Sequence, residues 1–156
     1  MAGMLRISDA ASLGLHAAAY LASEGTGRPV PVARMAEDLR VSEAHLGKVL
    51  QRLARLGLIR SRRGPGGGFL LARRPEEIAL IEIHEAFEGP IPRPGCLLGR
   101  ERPCKPEACV MGDLVHRVQR MVREHLERTR LSDLAPALAP PRSREDPSPI
   151  SEGEET

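Results

Sequence analysis

Cys96, Cys104 and Cys109 are the only cysteines of the chain, and all fall within fourteen residues, in GCLLGRERPCKPEACVM. Core cysteines would scatter along apolar stripes. Three in one Pro- and Gly-bearing stretch point instead to ligation or redox chemistry. The spacing is Cys-x7-Cys-x4-Cys. Zinc knuckles use gaps of about two to four residues, and only the second gap is that short. Three thiolates with one other ligand suit an iron–sulfur cluster, which the odd ligand leaves labile. A metal-free thiol switch is the alternative, and inert packing the plainest reading.

The second chemically suggestive stretch is RSRRGPGGGFLLARR, residues 60–74. From Lys48 to Arg74 the chain carries one Lys, seven Arg and no acid, whereas from Glu145 onward it carries five acids and no base. The net charge of only +2 hides that asymmetry. A basic centre of this density suits a polyanion partner; the bland alternative is a solvated arginine face. The glycines do not form a phosphate loop. The Gly-x-x-x-x-Gly-Lys-Ser/Thr pattern is missing, and no helix opens after them. The strand-like flanks also disfavour a flexible linker.

The elements that must position these residues follow from periodicity. Ile7, Ala11, Leu15, Ala18, Ala19 and Ala22 mark a helix over 7–23 with Ser8 as N-cap. EGTGRPVP breaks it. A short helix at 32–39 carries Met35, Ala36 and Leu39, and Arg40 and Val41 make the turn. Ser42 caps a third helix at 43–56, with Leu46, Val49, Leu50 and Leu53 inward, and Gly57 stops it. The runs at 58–62 and 69–72 read as strands of a hairpin whose tip is 64–68. A helix-turn-helix followed by a basic hairpin is a winged helix. A turn and a helix follow at 75–87. The longest helix is expected at about 109–130. Its stripe of Val110, Leu114, Val118, Met121 and Leu126, widened by Met111, Val115 and Val122, needs a cover: a twofold partner, its own first helix, or both. His84 and His125 read as structural. Residues from 139 onward, rich in Pro, Ser and Glu, are expected to be disordered.

The expected organisation is therefore a DNA-binding winged helix-turn-helix at 1–88, a cysteine-bearing sensor loop at 89–109, a dimerisation helix with a short helix after it at 110–138, and a tail at 139–156. The class is mainly α with a small β-hairpin wing. Aromatics are 2% of residues, so the core rests on aliphatic side chains, which suits helices. No apolar run reaches the roughly 18–20 residues of a membrane span, and no signal peptide is apparent. A cytoplasmic protein is expected. No nucleophile–base pair, acid pair or nucleotide motif indicates an enzyme; a small iron–sulfur redox enzyme is the remaining enzymatic alternative.

On this frame the residues facing DNA can be named. The start of the third helix would offer Ser42, Glu43, Ala44, His45 and Lys48 to base edges, with Arg52 one turn on reaching phosphate. The wing adds Arg60, Arg62 and Arg63, and glycines such as Gly66 and Gly67 let the backbone approach the duplex.

RISDAASLGLHAAAYLA, VSEAHLGKVLQRLARLGLIRSRRGPGGGFLLAR and a three-cysteine loop before a long helix together resemble the Rrf2 family of bacterial transcription regulators, over about residues 5–135. That family includes iron–sulfur-biogenesis, nitric-oxide-sensing, iron-responsive and cysteine-metabolism regulators. The resemblance implies a homodimer crossing on the long helix and binding a pseudo-palindromic double-stranded operator. It places Ser42, Ala44, His45, Lys48, Arg52, Arg63 and the 64–68 tip at DNA, and Cys96, Cys104 and Cys109 on a [2Fe–2S] or [4Fe–4S] cluster, although some members carry none. The uneven x7 and x4 gaps depart from the family pattern. The fourth ligand is open as well. Gly112 stands where some members have His, and Ser12 where others use the partner's first helix. Asp113, Asp9 and His16 are the candidates. His116 lies about 10 Å along the helix from Cys109, too far to share an iron.

Overall fold

The computed structural model describes residues 7–25, 27–91, 111 and 113–137. The three cysteines, Val110, Gly112 and the 139–156 segment lie outside the described residues.

Helix α1 (Asp9–Ser23) begins where Ser8 Oγ accepts from the Ala11 N–H at 3.2 Å. Asp9 in its first turn complements the helix dipole. The predicted stripe proves too narrow. Leu13, Ala17, Tyr20 and Leu21 are buried with Ala11, Ala18 and Ala19, because α1 touches α2, α3, α4 and α6 and has little free face. Ile7, expected on the stripe, is exposed.

Helix α2 (Val32–Leu39) ends on Arg40, whose φ of 55° is left-handed, with Val41 N–H donating back to Ala36 O at 2.9 Å. Helix α3 (Glu43–Arg55) buries Leu46, Val49, Leu50 and Leu53. Gly57, at φ 73°, reverses the chain so that Leu58 N–H donates to Leu53 O at 3.1 Å.

The wing is the antiparallel pair β1 (Ile59–Arg62) and β2 (Gly68–Leu71), in register Ile59↔Leu71, Arg60↔Leu70, Ser61↔Phe69 and Arg62↔Gly68. One contact was not expected. Val30, before α2, bridges to Phe69, giving and receiving backbone hydrogen bonds of 2.8 and 2.9 Å. The wing root is thereby pinned to the α1–α2 connection.

After a single 3-10 turn at Pro75–Glu77, α4 (Leu80–Glu88) starts with Glu82 Oε1 accepting from the Ala79 N–H at 3.0 Å. Helix α5 (Leu114–Arg128) is shorter than predicted, at 15 residues the same length as α1. Met111 and Asp113 lie in a turn before it, and Leu114 N–H donates to Met111 O at 3.2 Å. The predicted stripe on α5 divides. Val115 and Leu126 are buried, with Val122 against the core, whereas Met111, Leu114, Val118 and Met121 are 44%, 44%, 38% and 67% exposed. Among the described residues α5 touches α4, and the short α6 (Leu131–Leu134) packs on α1. Leu131, fully buried, ties this end to the start of α4 through its N–H to Ile78 O at 2.9 Å.

Candidate nucleic-acid interface

The first turn of α3 is free of the core. Ser42, Glu43, Ala44, His45 and Lys48 are exposed, because Leu46, Val49 and Leu50 take the inner face. Ser42 Oγ accepts from the His45 N–H at 3.5 Å; that cap leaves the hydroxyl proton free to donate elsewhere.

Folding sorts the basic run into two groups. Arg73 pairs with Glu82, and Arg74 with Glu77 at 3.1 Å. Arg55 Nε donates to Gln51 O in its own helix at 3.4 Å. Arg52, expected to point at phosphate, has its Nε 2.6 Å from Ala86 O, with its guanidinium carbon 5.4 Å from the Phe87 ring centroid. Lys48, Arg60, Arg62 and Arg63 are exposed and have no ion-pair partner among the described residues. These four are the cations that a polyanion would meet.

The wing glycines serve the fold before they serve any ligand. A Cβ on Gly67 would overlap the carbonyls of Arg62 and Gly64, and one on Gly68, at φ 151°, would overlap the Val30 carbonyl. Gly66, at φ 69°, has open space around it; its need is conformational. The requirement at Gly68 is invisible in the hairpin sequence, since Val30 lies far upstream.

The candidate fourth ligands separate. Asp9 and His16 line one surface pocket with Ser12, Leu13, Leu39, Val41 and His45. His16 Nδ1 lies 2.7 Å from Ser12 O, a contact in which Nδ1 donates. Asp113 is not part of that pocket; it pairs with Arg117 at 3.2 Å. Among the described residues no three His, Cys, Asp or Glu side chains are grouped to hold a metal. The donors expected for a cluster, the three cysteine thiolates, lie outside the described residues; their chemistry would suit iron–sulfur ligation. The ends of the segment that carries them are placed. Ile91 O accepts from Arg123 of α5 at 2.8 Å, and Met111 sits in the turn that starts α5. The segment both begins and ends against the same helix. His84 is buried and His125 exposed.

Three kinds of kinship accompany this geometry. The family model described as Rrf2, iron-dependent transcriptional regulator, matches residues 7–137. The HTH-type transcriptional regulator CymR of Bacillus subtilis is 32% identical over 131 residues, 84% of this chain and 90% of that protein. The HTH-type transcriptional regulator NsrR of Shouchella clausii is 31% identical over 116 residues, 74% of this chain and 78% of that protein. Among solved structures, that of the global cysteine regulator CymR of B. subtilis superposes with a TM-score of 0.73 at 34% identity, covering 86% of this chain and 98% of that one. These relatives are transcriptional regulators, not enzymes.

Proposed function

The chain belongs to the Rrf2 family of transcriptional regulators, and on that premise we propose that it is a homodimeric, sequence-specific repressor whose operator affinity is set by an iron–sulfur cluster on Cys96, Cys104 and Cys109. The observation that carries the DNA-binding part is the sorting of the basic run. Every other arginine between 48 and 74 has a partner inside the protein, while Lys48 and the three wing arginines have none among the described residues.

Each residue then has a task. Ser42, Ala44, His45 and Lys48 meet base edges in the major groove. Arg60, Arg62 and Arg63 neutralise phosphates, and Arg63, next to the glycine tip, is placed to enter a minor groove. Gly66 and Gly67 keep side chains off that tip. The exposed row Met111, Leu114, Val118 and Met121 on α5 supports a twofold contact, which would give the two half-sites of a palindrome. Action on the chromosome goes with a cytoplasmic location, and no described helix is long and apolar enough to cross a membrane.

Cys96, Cys104 and Cys109 would hold the cluster, with Asp9 or His16 of the other protomer, or Asp113, completing it. A bound cluster supplies a centre that reacts with oxidants, nitric oxide or changes in iron supply. The chain's contribution is mechanical. A segment tied to α5 at both ends transmits its order or disorder to the helix that carries the twofold row. Only a ligand that binds one state better shifts that balance.

A cluster-free thiol switch is the second reading. It is favoured by the uneven cysteine spacing and by the kinship with a cysteine regulator. Anaerobic purification separates the two. Brown protein with about two or four iron and sulfide per chain supports the cluster. Colourless protein with zinc or no metal overturns it. Operator selection from a random duplex pool tests the DNA-binding part.

A further inference from the structure

We infer that Arg52 is a positioning residue: it locks the recognition helix α3 to the last turn of α4 and, through residues 86–91, to α1 and α5. The inference rests on the DNA-binding role proposed above. Its physical origin is at the end of α4. Ala86 O is one of the terminal carbonyls that lack a partner within a helix. The residue four positions on is Pro90, which has no N–H to give. Arg52 supplies the missing donor, with Nε 2.6 Å from that oxygen, at the negative end of the helix dipole. Its guanidinium also lies over Phe87, 5.4 Å from the ring centroid.

The same ring is fixed from another side. It lies so close to Gly14 of α1 that a Cβ there would overlap it. The next residue, Glu88, accepts from the Ser8 N–H at the start of α1 at 2.9 Å. Ile91 O accepts from Arg123 of α5 at 2.8 Å. Residues 86–91 thus touch α3, α1 and α5 in succession, and the chain then enters the segment bearing Cys96. A displacement of residues 86–91 reaches α3 through Arg52. A lysine cannot replace it, since an ammonium has neither the planar face for Phe87 nor the fixed fork of donors.

The test uses the full chain and its selected operator, with Kd measured across a salt series for wild type, Arg52→Ala, Arg52→Lys, Phe87→Leu and Arg62→Ala. Both Arg52 variants are expected to bind the operator about tenfold more weakly, with the salt slope of wild type and with little change on non-operator duplex. Phe87→Leu, which touches no DNA, is expected to do the same, and the Arg52→Lys/Phe87→Leu double variant to lose less than the two singles combined. Arg62→Ala serves as the phosphate control, its slope falling by about 0.9. The inference is overturned if Arg52→Ala lowers the slope by about 0.9 and Arg52→Lys restores binding, because that is a phosphate contact. It is equally overturned if Phe87→Leu binds as wild type does. A wild-type chain that selects no operator sinks the DNA-binding reading itself and this inference with it, a result distinct from either of those.

Discussion

At the scale of single residues, Lys48 and Arg62 are both exposed cations, but the proposed function gives them different jobs. Lys48 stands on the first turns of α3, where base edges would lie; Lys48→Ala should reduce the ratio of operator to non-operator affinity. Arg62 stands on the wing, and Arg62→Ala should weaken all duplexes alike. Competition titrations with mutated operators read both, and equal affinities for both variants and wild type would remove these residues from the interface. Gly68 carries a requirement of another kind. Its φ of 151° and the closeness of Val30 O leave no room for a methyl group, so Gly68→Ala should cost about 2 kcal/mol or more in denaturant unfolding. Tyr20 is held un-ionised by burial and by its hydrogen bond to Asp38, which push its phenol well above the ordinary 10.0. A raised acid pKa adds stability that is complete below the unfolded value and drains as pH climbs past it. Unfolding free energy should therefore fall as pH rises beyond about 10, and less steeply in Tyr20→Phe.

At the scale of elements, the recognition unit was readable because its signals are local. Ser42 four residues before the first inward leucine, Gly57 after the last, and a glycine tip between two short apolar runs determine α3 and the wing to within a residue. Helix α5 was less readable. Periodicity shows that a helix has a broad apolar side but not that two covers divide it. Here Val115 and Leu126 are buried and Val122 lies against the core, on a helix that touches α4, while Met111, Leu114, Val118 and Met121 are exposed. If a second copy covers that row, Met121→Glu should shift the chain from dimer toward monomer, because a charge in a dry contact is costly. Sedimentation velocity over a concentration series checks this, and unchanged mass would locate the twofold contact elsewhere. The start of α5 was expected five residues early, since nothing in the apolar pattern marks the turn before Leu114.

At the scale of the whole molecule, what was hardest to read depends on partners distant in sequence. Val30 with Phe69, Gly14 with Phe87, and Arg52 with Ala86 are each separated by more than thirty residues, so no window of local spacing contains them. Its place one helical turn beyond Lys48 made Arg52 one more phosphate-seeking arginine; only the end of α4 gives it a partner within the protein. The cysteines were legible at once as a cluster of donors; Ile91 and Met111, the described residues on either side of them, adjoin α5 and would carry the proposed signal. The account stands on that connection between the cysteine segment and DNA. It is tested most directly by operator-binding isotherms at matched salt for anaerobically purified protein and for the Cys96→Ser/Cys104→Ser/Cys109→Ser variant. The account predicts dissociation constants that differ by about tenfold or more. Superimposable isotherms would contradict it.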